Sequence, residues 1–162
     1  WNKRGFLEIQ VIDAKGLSIV KNDILVELNG KEYIDVLKTD YDIRFCKIDE
    51  YDELVDFLKK YWKEDHIFVL SKELLDFQHL DEVNDRYNFV IAKHRGSDEI
   101  HSILGFVPTN HFDNDVEKLN VWPCIWKSRD DISRKGLGVA LYHYLKNTLI
   151  QLFHMQIISF LH

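Results

Sequence analysis

Two strand-like stretches of eight residues, YNFVIAKH (87–94) and IHSILGFV (100–107), are separated only by RGSDE. Five residues rich in turn formers are too few for a crossover and enough to fold a strand back on its neighbour. The pair predicts an antiparallel hairpin ended by Pro108. Whatever else the chain forms must pack around that hairpin.

Helical patterns lie on either side. IRFCKI (43–48) reads as a short strand, and Asp49 as the N-cap of a helix with Tyr51, Leu54, Val55, Leu58, Tyr61 and Trp62 on one face. A second helical stretch covers about 66–79, with Ser71 placed to cap part of it and Leu74, Leu75 and Gln78 continuing the face. After the hairpin, LNVWPCIWK (119–127) reads as a strand in which Pro123, lacking an N–H, requires a bulge or an edge position. The charged loop SRDDISRK then leads into a helix whose face is Leu137, Ala140, Leu141, Tyr144, Leu145 and Thr148. The final run, MQIISFL, reads as a buried strand. The order from residue 41 is β-α-α-β-β-β-α-β, an α/β fold on a mixed central sheet.

Residues 1–40 are different. FLEIQVID, DILVELNG and KEYIDVL alternate apolar and polar, Asn29-Gly30 is a hairpin signal, and Ala14-Lys15-Gly16 marks a turn. This part reads as a small β-rich appendage or the tail of a preceding domain, with the main domain over 41–162. The start at Trp1 and the end inside QIISFLH read as the limits of a fragment.

A net charge of −6 disfavours broad nucleic-acid or membrane-surface binding. Neither a membrane span nor a signal peptide is legible. Cys46 and Cys124 sit in apolar strand-like runs with no CxxC, so both read as reduced core thiols of a cytoplasmic protein. No HExxH or comparable metal motif and no GxSxG hydrolase motif occurs.

The stretch richest in chemistry is SRKGLGVALYHYLKN (133–147). A helix N-terminus exposes unpaired N–H groups and the positive end of the dipole, and glycines let an anion approach them. The turn fits neither GxxxxGK[ST] nor GxGxxG, since residue 141 is leucine. By itself it is either a plain turn leading into a helix or a phosphate cradle.

A strand, a basic loop and GxG opening an amphipathic helix, behind a three-strand meander with two helices ahead, resemble the GNAT acyltransferase superfamily. Its pattern here is Gln/Arg-x-x-Gly-x-Gly/Ala; this chain has Ser133-Arg134-Lys135-Gly136-Leu137-Gly138, with Ser133 in place of the usual Gln or Arg. YWKEDHIF, NFVIAKH, ILGFVP and VWPCIWKSR further resemble a subgroup linked to surface-polysaccharide gene clusters.

The resemblance implies an acyl-CoA-binding domain over 41–162, without its C-terminal helix and closing strands, that transfers an acetyl group from acetyl-CoA to a small primary amine such as an amino sugar. No metal is implied, and a homodimer is compatible with the family. By position, the coenzyme A pyrophosphate would lie on the amides of Arg134, Lys135, Gly136, Leu137, Gly138 and Val139. Ile125, Trp126, Lys127 and Ser128 would offer backbone groups to the pantetheine arm and the thioester. Trp122 and Trp126 read as core aromatics or as cofactor neighbours, on one face if the strand is regular.

Trp62, Asp65 and His66, at the junction of the first two helices, would border the acceptor site, unless Asp65 is only a cap and His66 only a surface residue. Gln78, His79, His101 and His111 are weaker candidates. Many family members carry a Glu as base on the strand before the turn; here the nearest is Glu117, and a water chain or His66 are the alternatives. The Tyr that protonates the leaving thiolate would lie beyond His162, so the fragment is expected to bind weakly or to be inactive. The amine attacks the thioester directly, with no covalent enzyme intermediate. The rival reading is a non-catalytic binding or interaction module that keeps the fold. The transferase reading requires a turn that is not plugged by side chains and that faces a groove beside the Trp126 strand.

Overall fold

The computed structural model describes residues 9–13, 16–21, 24–28, 37–112, 121–132 and 136–160. Contacts divide the chain into two units, Trp1–Thr39 and Asp40–His162. In the first, β1 (Ile9–Asp13), β2 (Gly16–Lys21) and β3 (Ile24–Leu28) form an antiparallel sheet in that order. Ile9 faces Ile19, and Leu17 faces Leu28 across the ladders. The middle strand was not legible in the alternation. Asn29-Gly30 and most of KEYIDVL lie outside the described residues.

The second unit begins with β4 (Tyr41–Lys47), which passes through a 3₁₀ turn (Ile48–Glu50) into α1 (Tyr51–Phe57). Asp49 does not cap this helix as predicted. It lies exposed inside the 3₁₀ turn, and its neighbour Glu50 does the anchoring. Glu50 is buried, accepts from the Lys47 amide at 3.0 Å and takes the Arg44 guanidinium through two contacts of 2.6 Å.

α1 runs into a π-turn (Leu58–Trp62). The second helical stretch is then two helices, α2 (Ile67–Leu70) and α3 (Lys72–His79). Ser71 divides them: its extended backbone interrupts the helix, and its Oγ accepts from the Leu74 amide at 3.3 Å. This is the cap expected of a serine that competes for backbone hydrogen bonds.

After the two-residue β5 (Leu80–Asp81) come β6 (Arg86–His94), β7 (Ile100–Pro108) and β8 (Val121–Ser128). The predicted hairpin is β6–β7. Its turn is fixed by Asp98, at φ 57°, whose amide donates to the His94 carbonyl at 2.8 Å. The sheet order is β4-β6-β7-β8, with β5 on β6, and every pairing is antiparallel. β6 is buried on both faces, which explains why FVIA is a continuous apolar run and not an alternation.

One face of the sheet packs under α1–α3 through Leu54, Phe57, Leu58, Phe68, Leu75, Phe89, Ile91, Ile103 and Ile125. The other is covered by α4 (Leu137–Phe160), with the Tyr144 ring 5.4 Å from that of Phe45 and Phe106 beside it at 5.8 Å.

The expected closing strand is absent: MQIISF continues α4. Nothing between Gly138 and Phe160 breaks a helix, since neither Gly nor Pro occurs there, and a short apolar run does not by itself distinguish strand from helix. The described order from residue 41 is therefore strand, three helices, short strand, three strands and one long helix, an α/β arrangement on an antiparallel sheet. Among the described residues no helix is long and apolar enough to cross a membrane.

Candidate functional site

β8 is the last strand of the described sheet and carries the irregularity that Pro123 demanded. Phe106 pairs with Pro123 and Leu104 with Trp126, so Cys124 and Ile125 together stand opposite Gly105 alone. This is a bulge in an edge strand. It also shifts the pleat by one residue. Trp122 pairs with Val107 and Trp126 with Leu104, three positions apart, so the two indoles leave opposite faces of the sheet instead of sharing one. Both are exposed, and neither is a core aromatic. Ile125 is the one residue of the strand that sinks fully into the core under α1–α3.

Beyond β8 the chain reaches the glycine turn. Gly136 has φ 81°, in the left-handed region that favours glycine. The Ala140 amide donates to its carbonyl at 3.0 Å, so α4 opens here and the amides of Leu137, Gly138 and Val139 have no intrahelical acceptor. Gly138 is required for a second reason: a methyl group there would overlap Nε1 of Trp126. The indole lies over this glycine and stacks on Tyr142, ring centres 6.1 Å apart and planes at 19°. Part of the turn is thus covered by a side chain of the strand that precedes it. Ser133, Arg134 and Lys135 lie outside the described residues, as does Glu117.

The side chains of the remaining strand candidates are engaged within the fold. Lys127 Nζ pairs with Asp130 at 2.6 Å. Ser128 Oγ meets Ser102 Oγ at 2.7 Å, and Ser102 Oγ also donates to the Lys127 carbonyl at 3.2 Å.

At the helical junction the roles are reversed from the expected ones. His66, not Asp65, is the cap: its Nδ1 accepts from the Phe68 amide at 3.3 Å at the start of α2. Burial, and then the charge of Lys63, lower its pKa, so the ring stays neutral. Asp65 is exposed and faces Lys63 at 3.3 Å. Trp62 is exposed at the end of the π-turn.

The π-turn itself approaches the end of β8. There the Arg129 guanidinium lies 4.9 Å from the centre of the Tyr61 ring and bridges Glu99 at 2.8 Å and Asp131 at 2.9 Å. Arg129, hidden in the sequence within a charged loop, helps line a groove of about 800 Å³ between this turn and the hairpin tip, together with Glu53, Lys60 and Asp98.

The other histidines divide. His79 is fully buried, with Nδ1 3.2 Å from the Phe106 carbonyl. Its ring also approaches Cys124, which is exposed and is not the core thiol the sequence suggested; Cys46 is. His101 is buried, bonded through Nδ1 to the Tyr41 hydroxyl at 3.0 Å and stacked on His94 at 5.0 Å. His111 holds the Phe77 carbonyl at 2.8 Å, and Gln78 is half-buried. Among the described residues no cluster of three or more metal-ligating side chains occurs. No protein-family model, no curated protein and no solved structure matches the chain.

Proposed function

We propose that the unit Asp40–His162 is an N-acyltransferase domain of the GNAT type, transferring an acetyl group from acetyl-CoA to a small primary amine, with an amino sugar as the first acceptor to test. One observation carries this reading: a bulged edge strand leads through a short loop into a helix that opens on Gly136, leaving three amides without an intrahelical acceptor. A helix end of this kind suits the pyrophosphate of coenzyme A. The strand in front of it suits an extended pantetheine arm, read through backbone groups and not through the engaged side chains of Lys127 and Ser128. The antiparallel order β4-β6-β7-β8, with helices between the first strand and the rest, supports the same family.

The chemistry needs a neutral amine, an exit for its proton and donors to the tetrahedral oxyanion. The one lone pair of neutral His66 at the helical junction is taken by the Phe68 amide, so a water chain is the exit this reading gives the amine proton. The amine attacks the thioester carbonyl directly, and the thiol of coenzyme A leaves.

A second reading is favoured by a specific observation. The Trp126 indole over Gly138 and the lack of any carboxylate along VWPCIWKS suit a binding module that has kept the fold without the reaction. Incubation with acetyl-CoA and a panel of amines, following free thiol, separates the two. Thiol release above background with any amine supports transfer. Acetyl-CoA binding by calorimetry without turnover supports the module, and absence of binding refutes the transferase reading.

A further inference from the structure

His79, the last residue of α3, and Cys124, in the bulge of β8, are 45 residues apart in sequence and meet in the fold, with Cys124 Sγ 3.8 Å from His79 Nε2. The imidazole is held rigidly. It is fully buried, packed against the rings of Phe68 and Phe89 at 5.2 and 4.6 Å, with Nδ1 on the Phe106 carbonyl at 3.2 Å. A carbonyl only accepts, so the ring proton resides on Nδ1 and the Nε2 lone pair faces the sulfur. Burial pushes the pKa of the ring down to about 4, which keeps Nε2 unprotonated at neutral pH.

Cys124 itself is open to solvent. Burial on its inner side raises the pKa of the thiol, while the amides of Ile125 and of Cys124 itself act in the opposite sense and favour the thiolate. Those two residues are the ones the bulge sets opposite Gly105. A thiol on an edge strand in contact with a fixed, correctly protonated imidazole is a nucleophile-and-base pair; the raised pKa keeps the thiol protonated at rest, so its proton leaves only as the sulfur attacks. Cys46 is not placed this way: it is fully buried, and its thiol is pushed up to about 12.

The geometry points to Cys124 as an acyl-accepting thiol, with His79 as its proton acceptor, that captures the acyl group of a thioester in a covalent S-acyl link. The Cys124 S–H proton passes to His79 Nε2 and the sulfur attacks the thioester carbonyl carbon. The donor's carbon–sulfur bond breaks, and the departing thiolate takes the proton back from His79. One thioester is consumed and one formed, so no oxidant or co-reactant is needed. The nature of the donor rests on the transferase reading, because Cys124 immediately precedes Ile125–Ser128, the stretch assigned to the pantetheine arm; the reactive pair does not. Direct attack by an amine does not require this step.

The test uses the whole chain with two probes, acetyl-CoA and S-acetyl-N-acetylcysteamine, a thioester without the nucleotide. Acetylation of each cysteine peptide is followed by mass spectrometry. Cys124 is expected to be acetylated by both probes and Cys46 by neither, and Cys124→Ser is expected to remove the label. His79→Gln is expected to slow acetylation by about a hundredfold, with its fold checked by circular dichroism. Labelling by the short thioester alone keeps the reactive pair and removes coenzyme A as donor. Labelling by neither probe, or an unchanged rate in folded His79→Gln, overturns the proposal. If His79→Gln does not fold, the wild-type rate is compared with that of Cys124 in urea-unfolded chain, and a folded-state rate no higher than the unfolded one overturns it equally.

Discussion

Replacing Glu50 with glutamine removes one charge at the point where β4 turns into the helical arm, while the shape of the side chain is kept. Burial alone would raise the pKa of this carboxyl. The Arg44 fork, the Lys47 amide and Lys93 outweigh it and bring the pKa from 4.5 to about 2. At about 1.4 kcal/mol per unit, that displacement corresponds to about 3.5 kcal/mol. Solvent reaches the Arg44 side, so screening reduces the expected loss in Glu50→Gln to about 1.5 kcal/mol at pH 7.

The sign follows from linkage. The folded pKa is depressed, so the contribution is fully present above the unfolded value of 4.5 and is lost as pH falls through about 2. Urea unfolding of both proteins, followed by tryptophan fluorescence at pH 7 and near pH 3, measures the gap between them. The gap is expected to fall to less than half at the lower pH. A gap that is the same at both, or that widens in acid, refutes the assignment of this charge as the anchor.

His79, with a folded pKa near 4 against 6.5, makes wild-type stability fall as pH drops from about 6.5 towards 4, because the unfolded chain binds the proton first. A folded His79→Gln protein should show a flatter profile in equilibrium melts across that window. Gly138→Ala forces the Trp126 indole off its position over the helix start, and a changed tryptophan emission spectrum is the expected result; an unchanged spectrum argues against the contact. Gly138→Asp should abolish acetyl-CoA binding in calorimetry by crowding and charge repulsion. His66→Ala removes the cap of α2 and should cost about 1 kcal/mol in chemical denaturation.

What the sequence exposed was what is decided locally. The β6–β7 hairpin follows from two strand-like stretches and a short turn, and the Ser71 cap from one hydroxyl in a helical pattern. The β8 bulge follows from a proline that cannot donate. Where alternatives competed over longer distances, the reading failed. MQIISFL is as apolar as a buried strand, and only the unbroken run of helix formers behind it carries α4 onward. Asp49 has the chemistry of a cap, but its neighbour Glu50 can reach Arg44, and that ion pair decides the geometry of the turn. Nothing in the spacing of His79 and Cys124 announces their contact, since it depends on how α3 and β8 cross the same sheet. The exposure of Cys124 follows from the same bulge that separates Trp122 from Trp126.

The bulge has a further consequence for life in a concentrated solution. An outermost strand offers its free backbone as a template on which another copy can polymerise. Within β8, Pro123 has no N–H to give, and the doubled residue beside it breaks the regular repeat that an incoming strand would have to match. The outer edge of the described sheet is therefore poorly matched to fibrous self-association.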